Sequence, residues 1–126
     1  MSFFIDNCLG PKIAAALAAM GHDVRHLRDT FSPDTKDADW LPFCGEHRLV
    51  VVTVDHAIMT VGSHERKTLE AHNVSAYFLA KGWLNMKLHE QAGKIITWWP
   101  TLEAHVVTTS PGQCFRVKQN GKILPY

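Results

Sequence analysis

Cysteine is scarce in this chain of 126 residues, and the three present, Cys8, Cys44 and Cys114, are odd in number, far apart and without C-x-x-C spacing. That excludes a disulfide framework and a thiolate zinc site, and fits a reducing cytosol. Neither sign of charge prevails: 13 Lys and Arg against 12 Asp and Glu leave a formal +1. No global field therefore marks nucleic acid or a membrane as partner. Long hydrophobic runs are missing too. The apolar opening Phe3 to Ile5 is interrupted by Asp6 and has no basic leader before it. Neither signal peptide nor membrane span is expected, and the expected location is the cytoplasm. No internal repeat or low-complexity tract is visible.

What is present is an ordinary domain composition, 46% hydrophobic and 20% charged. A chain of this size buries roughly two thirds of its unfolded surface, enough for one core. Residues 1–126 are thus expected to form a single domain. Charge is distributed unevenly: residues 1–60 carry five basic and eight acidic side chains, residues 81–126 six and two.

Phe3 to Ile5 reads as a short strand, and Pro11 opens an alanine-rich helix with Ile13, Leu17 and Met20 on one face. Gly21 stops that helix, and Asp23 to Leu27 alternates like a second strand. A further helix is expected from Asp37, with Trp40, Leu41 and Cys44 inward and Pro42 in or near its first turn. Leu49 to Val54 is β-branched with almost no alternation, as in a strand covered on both faces. Residues 64–72 read as helix, Val74 to Leu79 as strand, and Leu84 to Trp98 as a helix ending before Pro100. The alternation predicts a three-layer α/β/α fold around a mainly parallel sheet. Asn120-Gly121, between Cys114 to Lys118 and Lys122 to Leu124, predicts a type I′ hairpin. The core is expected over 1–109 and the hairpin as an appendage over 110–126.

In parallel α/β sheets, ligands collect beyond the carboxyl ends of the strands. Asp6 follows the first strand and Asp55 follows the Leu49 to Val54 strand; Asp37 and Asp39 open the helix between them. Such carboxylates repel one another unless they share a cation, and oxygen ligands suit Mg²⁺ or Mn²⁺. The expected chemistry is phosphodiester hydrolysis, with the ion polarising a phosphoryl oxygen and supplying hydroxide. Aspartate also caps helices and turns, an explanation that suits Asp39 and Asp34 well. It suits Asp6 and Asp55 less, since each directly ends an apolar strand.

Phe3-Phe4-Ile5-Asp6-Asn7, Gly21-His22-Asp23-Val24, Asp37-Ala38-Asp39-Trp40-Leu41-Pro42 and Val50-Val51-Val52-Thr53-Val54-Asp55 follow one another at spacings that resemble PIN-like domains. With Trp98-Trp99-Pro100 and Cys114-Phe115-Arg116-Val117, the chain looks like the VapC-type toxins of type II toxin-antitoxin pairs. The resemblance implies a Mg²⁺- or Mn²⁺-dependent endoribonuclease in which Asp6, Asp37 and Asp55 are the catalytic, metal-holding acids. It also implies an RNA substrate, a cognate antitoxin protein and a homodimer. Two positions depart from the pattern: His56 follows Asp55 where relatives supply another acid, and Ala38 interrupts the acidic run, for which Asp39 is the compensating candidate.

Arg66 and Lys67, close after Asp55, and Lys81 are the first candidates to contact RNA phosphates, followed by Lys87, Lys94, Arg116, Lys118 and Lys122. Scattered lysines more often decorate a solvated face. The four tryptophans read as core or interface before stacking platforms, and the eight histidines are dispersed without ligand spacing. Two other functions compete. A receiver domain phosphorylated at Asp55 has this architecture, but it wants paired acids after the first strand, a hydroxyl residue after the fourth and Lys-Pro after the fifth. A catalytically inactive PIN-like protein-binding module fits Ala38 and His56.

Overall fold

The β-branched and aromatic runs of the sequence form the strands of one six-stranded sheet in the computed structural model, which describes residues 1–126. The strands are β1 (Phe3–Ile5), β2 (Val24–His26), β3 (Val50–Thr53), β4 (Ala76–Leu79), β5 (Cys114–Val117) and β6 (Ile123–Pro125). They lie in the order β2-β1-β3-β4-β5-β6, all parallel except the last pair. Helices α1 (Pro11–Ala19) and α4 (Leu88–Val106) cover one face, through Ile13, Leu17, Ile95, Trp99 and Leu102. Helices α2 (Asp37–Glu46) and α3 (His64–Ala71) cover the other, through Trp40, Leu41, Cys44 and Leu69. Every residue of β1, β3 and β4 is buried, as the unbroken apolar runs require of strands packed on both sides. The expected α/β/α layering is therefore present.

Four local expectations need correction. Pro42 sits beyond the first turn of α2, inside the helix. Pro100 does not end α4, which runs through it to Val106. A proline there removes one rung, but Trp98, Trp99, Leu102 and Val106 are buried on both sides of it, and their packing outweighs the loss. Leu84 lies in a separate 3-10 turn, Lys81–Asn85, and both Leu84 and Leu88 are exposed, so neither belongs to the inner face of α4.

The fourth concerns the hairpin. It forms, but β5 pairs in parallel with β4 (Tyr77 opposite Phe115), so the tail continues the central sheet. Its turn is not type I′ either. Only Gly121 has positive φ (+87°), and its N–H donates to the Lys118 carbonyl at 2.8 Å. This is the three-residue loop with a glycine in the left-handed region. Gly121 also presses on Trp98, where a Cβ would come within 2.8 Å of the side chain. No helix is long and apolar enough to cross a membrane.

Candidate active site at the carboxyl edge of the sheet

From β1 the chain runs to β2 on one side and then crosses back to β3 on the other side of β1, so the sheet's switch point lies between β1 and β3. Loops diverge there and open a crevice at the strands' carboxyl ends. Asp6 and Asp55 flank it. The Asp6 N–H donates to the Val52 carbonyl at 3.1 Å, which extends the parallel ladder by one residue and draws its carboxylate inside, 6% exposed. Oδ1 accepts the Asn7 N–H at 2.6 Å, and Oδ2 accepts the Thr53 hydroxyl at 2.8 Å. The same hydroxyl accepts the Asp55 N–H at 3.0 Å. One threonine thus ties the acid of β1 to the acid of β3. Burial raises the pKa of Asp6, the donors from Thr53, Asn7 and Cys8 oppose that, and the Asp55 charge adds to it. The neighbouring Cys8 thiol is pushed up to about 12 by burial and the Asp6 charge. It is no thiolate nucleophile at neutral pH.

Asp37 reaches this edge through a braced loop. Asn7 Nδ2 donates to the Pro33 carbonyl at 2.9 Å, and Asn7 Oδ1 accepts Arg28 Nε at 2.6 Å. These bonds hold the segment before α2 against the end of β1. Asp37 then opens α2, half-buried, without a hydrogen bond to its carboxylate. Its pKa is raised to about 6, first by burial, then by the charges of Asp6 and Asp55, with a smaller push from Glu65. The buried Trp40 indole N–H acts in the opposite sense without closing a full hydrogen bond. The chain's two ion pairs, His22 with Glu103 and Arg66 with Glu70, lie elsewhere, so no lysine or arginine neutralises these acids.

The three aspartates are therefore close enough to feel one another, but no three Asp, Glu, His or Cys side chains close up into a ready-made metal cage. Asp55 also does what its position had argued against: its Oδ1 accepts the Ala57 N–H at 3.1 Å and caps the 3-10 turn His56–Met59. Asp39 is exposed and is not among the charges acting on Asp6 or Asp37. Glu65, in the first turn of α3, is the acid that sequence reasoning missed. A glutamate there reads as an ordinary partner of the helix dipole, and only the packing of α3 beside α2 brings its charge to bear on Asp37. The donor set, carboxylates with a hydroxyl and no cation, suits a hard divalent ion that keeps part of its water shell.

Residues 1–81 match the family described as PIN like domain, a span that contains Asp6, Asp37, Thr53, Asp55 and Glu65. The chain is a PIN-like domain protein. No curated protein and no solved structure matches it. PIN-like domains commonly have nuclease activity, and this one carries Asp6 and Asp55 at the carboxyl edge of its sheet. Helix α4 and the hairpin lie beyond the matched span.

Around the acids of the PIN-like domain the remaining candidates divide. Arg66 is half-buried and tied down, Nη1 donating to the Met59 carbonyl at 2.9 Å and Nε to Glu70 at 3.1 Å. Lys67 and Lys81 are exposed. His56 does not stand in for an acid, because its ring turns away. Nε2 bonds to the Leu79 carbonyl at 2.7 Å, so Nε2 carries the proton and Nδ1 accepts from the Tyr126 hydroxyl at 3.0 Å. Trp40, Trp83 and Trp99 are fully buried and Trp98 nearly so, which makes them core and not stacking platforms.

Proposed function

We propose that this PIN-like domain is a metal-dependent endoribonuclease, the toxin of a type II toxin-antitoxin pair. The observation that carries the proposal is a set of carboxylates at the switch point with no cation to balance them, one raised to about 6 by burial and by the charges of the others. Asp6, Asp37 and Asp55 would hold Mg²⁺ or Mn²⁺, with Glu65 as the fourth acid in place of Asp39. Such an ion, when bound, offsets their repulsion, polarises a phosphoryl oxygen and makes water acidic enough to attack phosphorus.

The chain's own groups do the positioning. Thr53 fixes the rotamer of Asp6 and the backbone of Asp55 with one hydroxyl. Asn7 holds the loop that delivers Asp37. Asp6 and Asp37 are partly desolvated, and charge interactions strengthen where water is excluded. Lys67 and Lys81 would bind RNA phosphates at the rim; Arg66, with two guanidinium nitrogens already bonded, braces α3 and offers the RNA what remains. An antitoxin protein, a homodimer and a cytoplasmic site of action rest on the VapC-like resemblance. Light scattering decides the dimer.

Incubating the purified chain with RNA and Mn²⁺, beside Asp6→Asn, tests the activity. Cleavage that needs both the ion and Asp6 is the expected result. A folded native chain that never cleaves RNA with either ion overturns it and favours the inactive binding module, which fits Ala38 and His56 at the two positions that depart from the pattern. The receiver alternative shares Asp55 after β3 but not the family of this chain.

A further inference from the structure

Beside the acids, on the same carboxyl edge of the sheet, lies a pocket of about 360 Å³ lined by His56, Lys81, Arg116, Lys118, Leu124 and Tyr126 among others. Its cations come from the ends of two neighbouring strands. Lys81 follows β4, Arg116 lies on β5, and Lys118 follows β5. No Asp or Glu lines the pocket, and none of the three cations enters either ion pair of the chain. Arg116 is nevertheless held in place. Its guanidinium lies 4.5 Å from the centre of the Tyr126 ring. The Tyr126 hydroxyl bonds His56 Nδ1, and His56 Nε2 bonds the Leu79 carbonyl at the end of β4. A chain of contacts thus runs from the central sheet to the guanidinium, so its order does not have to come from the ligand. Val117, buried, and Leu124 give the pocket an apolar wall.

We propose that this pocket binds a backbone phosphate of a single-stranded RNA, near the phosphate presented to the acids. This rests on the ribonuclease reading for the identity of the strand. Neighbouring strands lie about 4.8 Å apart, so the pocket's side of the sheet is about 10 Å from β3. A polyanion laid across this edge meets repulsion at Asp6, Asp37 and Asp55, and the unpaired cations at the ends of β4 and β5 offset it. Lysines and an arginine with no base-reading partner contact phosphate without regard to sequence. Most of the pocket's lining lies beyond residues 1–81, so this part of the edge is supplied by the chain's own tail.

Binding of a fluorescent oligouridylate to the full chain is measured in EDTA, where no cleavage intervenes, over a range of salt. The native chain is compared with Lys81→Gln/Arg116→Gln/Lys118→Gln and with the control Lys12→Gln, and circular dichroism verifies folding. Because single strands lose about 0.7 of log-log slope per neutralised phosphate, the triple variant, which gives up the one phosphate held in the pocket, should lower the slope by about 0.7 and the control should not change it. An unchanged slope in a folded triple variant overturns the proposal, as does absence of RNA binding by the native chain. Polyglutamate that binds with the same dependence on the three residues overturns the phosphate assignment in favour of an acidic protein. Inorganic phosphate or uridine 5′-monophosphate that displaces the oligomer as well, mole for mole, overturns the strand assignment in favour of a free phosphate. Pocket-dependent binding without Mn²⁺-dependent cleavage would sink the nuclease reading alone; cleavage without pocket-dependent binding would sink this inference alone.

Discussion

Replacing Asp37 with asparagine should stabilise the metal-free protein at neutral pH. In the folded chain its pKa is raised from the ordinary 3.8 to about 6 by burial and by Asp6, Asp55 and Glu65. A raised carboxyl pKa means the folded state binds more protons than the unfolded one, so stability falls as pH climbs between those two values. Below 3.8 the penalty is absent, and above 6 it is fully present. The difference corresponds to about 3 kcal/mol at 1.36 kcal/mol for each tenfold change in proton affinity. Half-exposure of the carboxyl brings screening by water, which reduces this to about 1 to 1.5 kcal/mol. With an unfolding entropy of about 2.1 cal/mol/K per residue, the midpoint of Asp37→Asn in EDTA at pH 7.5 should lie about 4–6 °C above the native one. At pH 4 the two should nearly coincide. Saturating Mn²⁺ should reverse the order, since an ion held by ionised Asp37 stabilises the native chain by about 2.7 kcal/mol at a hundredfold excess over its dissociation constant. Calorimetric scans at both pH values, with and without the ion, supply the comparison. Asp37→Asn that melts below the native chain in EDTA at pH 7.5 would refute the electrostatic account.

Thr53→Val keeps the shape of the side chain but strands the buried Asp6 oxygen and the Asp55 N–H, and should cost about 1–3 kcal/mol in urea unfolding. It should also depress Mn²⁺ affinity in titration calorimetry; unchanged affinity in a folded variant would show that the bridge does not organise the acids. Gly121→Ala should cost about 2 kcal/mol or more, because it adds left-handed strain to a collision with Trp98, and a change under about 0.5 kcal/mol would contradict the packing. Cys8, with its pKa near 12, should resist iodoacetamide at pH 8 in the folded chain and react once unfolded, as mass spectrometry of tryptic peptides reports.

The alternation of strand and helix, the double burial of β3 and the positions of Asp6, Asp37 and Asp55 after β1, at the start of α2 and after β3 were all legible along the chain. They rest on local chemistry: β-branched runs favour strands, prolines and glycines punctuate, and an acid at the end of an apolar strand sits where that strand ends. The misread points share an opposite origin. Pro100 breaks a helix by its own geometry, and the packing of Trp98 and Trp99 before it and Leu102 and Val106 after it overrules that preference. Glu65 and Thr53 look like a helix-dipole partner and a packing residue until α3 and β1 are set beside them. His56 looked like a failed acid, but its ring bonds a carbonyl 23 positions away and a hydroxyl 70 positions away.

By itself the sequence determined the class of fold, the edge of the sheet where chemistry collects and the three aspartates that reach it, because each follows from the preferences of neighbouring residues. The tertiary structure alone decided that the charges of those aspartates and of Glu65 act on one another, and that the tail adds a fifth parallel strand and a basic pocket on the same edge. Those outcomes depend on pairings between segments far apart in the chain, and no local preference encodes the distance between two side chains that meet only after folding.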